Sequence, residues 1–269
     1  MTHQVWSAAF TDVAEVTALP LPRPVREWAW GGSTGAGVRV AVVDSGVDAT
    51  HPLVGKVVGQ VAFEADPDAE DGVRLVQGPS EDLVGHGTAC AAIIRSLAPD
   101  VELHSVRVLG ANARGTGARL LAGIRWAVAA RIDVVNLSLS SRSEAWFAPL
   151  HEAVDEARSA GTLLVCAANN VPGPTYPAEF SSVVSVAARP GSDPWDLAAN
   201  PRPPVDFGAR GVDVEVAWAG GGRIIATGNS FAAPHVAAMA ALVRARHPGF
   251  GPEQVKAVLH AAAVNAVPE

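Results

Sequence analysis

Apolar runs recur along the chain at residues 38–43, 57–63, 102–109, 133–139, 162–167 and 183–187. Most lack the alternation that a half-exposed sheet imposes, so they predict strands covered on both faces and hence a largely parallel sheet. Between them, residues 88–96, 120–130 and 144–160 carry helical periodicity, the last closed by Gly161, and residues 230–247 and 252–262 predict two further helices. Strands alternating with helices are the mark of an α/β domain with helices on both sides of a sheet. Two stretches break the rhythm. Residues 64–82 are acidic and turn-rich, residues 189–204 are rich in proline, and both read as surface loops. No internal repeat is present.

With 269 residues the chain is long enough to bury a sizeable core, and α/β folds of this size are often undivided. The net charge of −7 is spread along the sequence without a basic run, which disfavours nucleic acid and anionic membrane as partners. No apolar run is long enough to span a bilayer, and residues 1–10 lack the basic start and apolar core of a secretion signal, so the sequence as given reads as cytoplasmic. Cys90 and Cys166 lie in apolar surroundings and are expected to be reduced thiols. Cys90 follows His86 by four residues and so shares its helix face. No motif supports it as a nucleophile, and buried packing is the expected role.

The candidate chemistry begins at Gly228-Asn229-Ser230-Phe231-Ala232-Ala233-Pro234, which places a serine at the mouth of an Ala-rich helix. Free N–H groups and a partial positive charge there favour an oxyanion beside the serine Oγ, and Pro234 is tolerated on the expectation that it lies in the first turn. A serine before a helix is also a common N-cap. Two upstream segments favour catalysis: the 38–43 run ends in Asp44-Ser45-Gly46, and Gly85-His86-Gly87-Thr88 opens an apolar helix. Ligands of an open parallel sheet bind outside the carboxyl ends of its strands, which is where Asp44 would end a strand and where His86 and Ser230 would start helices. A serine hydroxyl needs a base, which His86 can supply, and a carboxylate to orient the imidazole. Asp44 fits that last role better than Asp48, which lies beyond the Gly46 turn.

Asp44, His86 and Ser230 occur in the chain order Asp, His, Ser, which is the order in which subtilisin carries its Ser-His-Asp triad. From about Gly35 to Lys256 the sequence resembles the subtilisin-like serine proteases, the subtilases. The resemblance rests on Val40-Ala41-Val42-Val43-Asp44-Ser45-Gly46 with His51-Pro52, on Gly85-His86-Gly87-Thr88, on Asn136-Leu137-Ser138-Leu139-Ser140, on Val165-Cys166-Ala167-Ala168-Asn169-Asn170 and on the serine segment. It implies a three-layer subtilisin-like fold with a mostly parallel central sheet flanked by helices, residues 35–269 being the catalytic domain. It also implies a serine endopeptidase acting through an acyl-enzyme on a peptide or protein substrate, without a cofactor. Residues 1–34 are too few to form a folded inhibitory prodomain.

The resemblance further implies that Asn170, or by a register one residue off Asn169, joins the Ser230 N–H in holding the oxyanion. Substrate would be gripped as an added strand by Leu137, Ser138, Leu139 and Ser140 on one side and Arg114, Gly115 and Thr116 on the other, unless these are an ordinary strand edge and loop. Ser140, Asn169 and Thr175 stand where glycine is frequent around the first specificity pocket, and their side chains would narrow it. Such a pocket suggests selective processing of a peptide or precursor, with Leu19-Pro20-Leu21-Pro22-Arg23-Pro24 either lying across the cleft or serving as a linker. His235 and His51 match structural positions. Asn229 replaces a usual threonine and Phe231 a usual methionine, which keeps open a peptide-binding pseudoenzyme; capture of the acyl-enzyme by an amine would instead make a peptide ligase or macrocyclase. No metal is expected: the ligand-bearing loop after the histidine helix is missing, Pro52-Leu53 offers no carboxylate, and the acidic residues Asp66, Asp68, Glu70 and Asp71 read as a solvated loop.

Overall fold

A computed structural model describes residues 16–17, 25–79 and 81–267, and the Pro-rich segment 19–24 lies outside them. The elements in chain order are β1 (Val16–Thr17), α1 (Val25–Trp30), β2 (Arg39–Asp44), β3 (Gly59–Ala65), β4 (Val73–Gln77), α2 (His86–Leu97), β5 (Glu102–Arg107), α3 (Gly117–Ala129) and β6 (Val134–Leu137). There follow α4 (Phe147–Ser159), β7 (Leu163–Ala167), β8 (Val184–Arg189), β9 (Leu197–Ala199), β10 (Phe207–Arg210), β11 (Val214–Trp218), β12 (Gly222–Ala226), α5 (Asn229–Arg246), α6 (Pro252–Ala262) and β13 (Ala266–Val267). Each apolar run of the sequence becomes a strand.

The main sheet has nine strands in the order β4-β3-β5-β2-β6-β7-β8-β10-β9, parallel from β3 to β10 and antiparallel at both edges. β2 has β5 on one side and β6 on the other, so the chain departs from it in both directions. A crevice forms outside the carboxyl ends of strands at such a switch point. α1, α2, α5 and α6 share one apolar cluster on one face, and α3 and α4 share another on the opposite face, which gives three layers. α5 is apolar all round, with only Ser230 and the last three residues of its run less than buried, as a helix threaded through a core must be. Its alanines let the backbone run close to β6, β7, β8 and β10.

Two loop readings need correction. Residues 64–82 are not all loop: β4 pairs antiparallel with β3, and Val73 is buried while Arg74 and Leu75 face solvent. Within 189–204, Leu197, Ala198 and Ala199 are buried as β9 against β10. Beyond these, the β11–β12 hairpin arises from a segment given no element by periodicity, although Val214 and Val216 are buried around an exposed Glu215 and the turn is Gly220-Gly221. α1 belongs to the same body, since Ala29 and Trp30 join the α5 cluster and the Trp28 carbonyl accepts from His247 Nε2 at 3.1 Å.

Candidate active site

Asp44 closes β2 at its carboxyl end and is fully buried. Both its carboxylate oxygens lie 2.9 Å from His86 Nδ1, and Oδ1 also accepts the Ser45 N–H at 2.7 Å. The bond fixes a proton on Nδ1 and leaves Nε2 as the free base. Burial works against the imidazolium, but the Asp44 charge and hydrogen bond, with the more distant Asp82 charge, outweigh it and raise the His86 pKa above its ordinary value.

His86 is the first residue of α2, and the preceding Gly85 has a left-handed φ of 106°, with the Trp218 ring 2.8 Å from where a β-carbon would stand. A side chain there would meet both the backbone preference and the indole. Asp82, which sequence reasoning passed over, ties this helix start down. Oδ1 accepts from Ser45 Oγ, Val84 N and Gly85 N at 2.8, 3.0 and 2.7 Å. Oδ2 accepts from Thr88 N and Thr88 Oγ1 at 2.9 and 2.6 Å. A carboxylate at a helix N-terminus satisfies free donors and the dipole together. Its only sequence signal was an acidic residue six positions before Thr88.

Ser230 is the second residue of α5, after Gly228, whose missing side chain leaves room for the serine Oγ, 3.0 Å from where a β-carbon would stand. Pro234 is therefore not in the first turn, as expected from sequence, but one turn in. Having no N–H, it leaves the Ser230 carbonyl without its helical donor. That carbonyl is instead reached by Ser138 Oγ at 2.8 Å and by Cys90 Sγ at 3.6 Å. The exit of β6 and the histidine helix thus both hold the nucleophile's own peptide unit. Phe231 packs its ring 5.3 Å from the His86 ring, covering one side of the base.

Asn170 lies in the loop after β7, and its Oδ1 accepts the Asn229 backbone N–H at 3.0 Å. The carbonyl end of the amide being taken, its NH₂ end is the one left for a ligand. Asn169 is differently engaged: its Oδ1 accepts from Val171 N at 3.2 Å and its Nδ2 reaches Ser140 Oγ at 3.5 Å. These bonds favour Asn170 over Asn169 as the oxyanion donor.

His86, Ser230, Ser138, Leu139, Ser140, Asn169 and Asn170 line one cavity of about 330 Å³. Leu139 and Ser140 continue into a second, of about 310 Å³, whose far wall is Arg114, Gly115 and Thr116. The two segments named from sequence therefore flank a continuous groove. Two of the residues assigned to substrate binding do not line it. Leu137 is fully buried, because the strand's alternation points it into the α3–α4 core. Thr175 is buried beneath the pocket, its hydroxyl accepting the Asn169 N–H at 2.9 Å, so it supports the wall without forming it. Sequence reasoning missed Val84, Leu109, Ala113 and Trp218, which also line the groove. Trp218 had no signal, since it comes from the unrecognised hairpin.

Asp44, His86 and Cys90 form the one group of three candidate metal ligands among the described residues, and it coincides with the base. Burial, chiefly, and the Asp44 charge push the Cys90 thiol well up, so it is an inert proton-bearing neighbour.

A family model described as "Subtilase family" matches residues 35–269. The "Thermostable alkaline protease" of Halalkalibacterium halodurans is 35% identical over 237 residues, covering 84% of this chain and 62% of that protein, so the chain spans less than two thirds of its length. Subtilisin BL of Lederbergia lenta is 34% identical over 236 residues, covering 84% of this chain and 82% of that protein. A solved cold adapted subtilisin-like serine proteinase superposes with a TM-score of 0.67 at 28% identity, covering 94% of this chain and 89% of its own.

Proposed function

Since this chain belongs to the subtilase family of serine proteases, we propose that it is a serine endopeptidase acting on a restricted set of peptides or precursors. The observation that carries the chemistry is the convergence of Ser230, His86 and Asn170 on one cavity, with Asp44 fixing the imidazole. His86 Nε2 takes the Ser230 hydroxyl proton as Oγ bonds to the substrate carbonyl carbon. The carbonyl π electrons move to oxygen, where the Asn170 NH₂ and the helix N-terminus receive the charge. His86 then gives its proton to the leaving amine as the C–N bond breaks, and water repeats the cycle to release the acid.

Selectivity is supported by the Ser140–Asn169 contact, which joins two walls of the first pocket where their side chains occupy space. Unfolded casein is the test: a few slow cuts are expected, while rapid cleavage at many sites would refute selectivity. A fluorophosphonate should label the wild type and spare Ser230→Ala, and equal labelling of both would refute the nucleophile. A cytoplasmic setting is part of the same proposal; recovery of the protein from the culture medium of intact source cells would refute it.

A further inference from the structure

Asn229 is fully buried at the first position of α5 and makes hydrogen bonds in three directions. Its Nδ2 donates to the carbonyls of Ala168 and Asn169 at 3.0 and 3.2 Å. Its Oδ1 accepts from Ala188 N, in β8, at 2.8 Å. Its backbone N–H donates to Asn170 Oδ1 at 3.0 Å. A single residue thus grips the two peptide units before Asn170 with its side chain and the Asn170 carboxamide with its backbone. Rotating that carboxamide by half a turn would set NH₂ against N–H, so the bond selects the orientation with the donors outward.

We propose that Asn229 is a positioning residue for the oxyanion donor: it locks the loop carrying Asn170 to the start of the serine helix, so that the Asn170 NH₂ and the Ser230 N–H keep a fixed separation. A donor set acts on a developing charge only when it is held in place beforehand, and residues with two carbonyls and an amide as anchors hold it more firmly than a single hydroxyl does. The departure from threonine at this position is then a different means of building the site and not a defect in it. The inference rests on the endopeptidase reading above.

A double-mutant cycle on purified full-length protein with a chromogenic peptide tests it. Asn170→Ala is expected to lower kcat by about 10²–10³ with KM little changed, a magnitude carried over from the oxyanion asparagine of subtilisin. Asn229→Ala is expected to lower kcat roughly tenfold in the wild-type background, again with KM little changed, but by less than about twofold when Asn170 is already alanine. An equal loss in both backgrounds would show a general structural role and overturn the proposal. So would a loss confined to KM. If Asn170→Ala left kcat intact, there would be no donor to position, and the proposal would fall while peptide hydrolysis by Ser230 stood. Should Asn229→Ala fail to fold, Asn229→Ser, whose short hydroxyl cannot span the Ala168 and Asn169 carbonyls and Ala188 N together, replaces it in the cycle with the same criteria.

Discussion

A single bond sets the working pH of this site. His86 is buried enough to resist charging, yet its Nδ1 faces both oxygens of a fully buried carboxylate, and the net effect is a raised pKa. Only the neutral imidazole accepts the Ser230 proton, so activity is lost as pH falls through that raised value and the acid limb of kcat/KM should lie above the ordinary imidazole midpoint of about 6.5. Asp44→Asn removes the charge that raises it, leaves burial to act, and should move the limb to lower pH while lowering kcat by about 10⁴. A pH–rate profile of the two proteins checks this; a limb that stays put would mean another group controls it. At this scale the sequence was informative where chemistry is contiguous. Asp44, His86, Ser230 and Asn170 each sit in a short segment whose residues all serve the site. Asp82, Leu137 and Thr175 show the limit, because their roles depend on where a side chain points once three separated segments have met.

Helix starts do most of the positioning, and α2 shows how. Asp82 accepts five hydrogen bonds around its start, two from Thr88 in the first turn and three from Val84, Gly85 and Ser45 outside it, so Asp82→Ala should cost about 1–3 kcal/mol by leaving those donors unpaired. That corresponds to a melting temperature lower by about 2–10 °C, with kcat reduced because His86 is the first residue of the loosened turn. Thermal unfolding decides the matter, and an unchanged melting temperature would show that water replaces the carboxylate without loss. Legibility at the element scale follows burial. β2, β6, β7 and β8 are covered on both faces and announce themselves as apolar runs. β4, β9, β11 and β12 lie at edges or in a two-stranded ribbon and owe their form to the strand each pairs with, such as β3 for β4 and β10 for β9. Pro234 was misplaced although the helix start was read to within a residue, 230 against Asn229: five or six residues in, it already lies beyond a first turn of 3.6 residues.

At the scale of the whole molecule, the segments weighed as cation sites in the sequence carry hydrogen bonds of their own. α2 runs to Leu97 and the chain reaches β5 within a few residues, leaving no long loop, and Leu53 N donates to His51 Nδ1 at 3.2 Å. In the β3–β4 loop, Asp66 and Asp71 turn their carboxylates onto their own backbone, at Asp68 N and Val73 N. Stability that depended on a bound ion would fall on its removal by mass action. A chelator is therefore expected to leave the melting temperature within about 3 °C, and a larger fall would reveal a cation site that these groups do not build.

The order in which the working parts occur along the chain has a further effect, on timing. Asp44 and His86 both lie in the first third of the sequence, on β2 and α2, whereas Ser230 enters with α5, the helix that fills the middle of the core. A ribosome that has delivered everything up to β12 has made the base and its carboxylate but no nucleophile, and the sheet face that α5 covers is still bare. The helix whose docking completes the core is the one that brings the serine. A newly made chain therefore has no nucleophile before the helix that fills its core arrives, because the same element completes the packing and brings the serine.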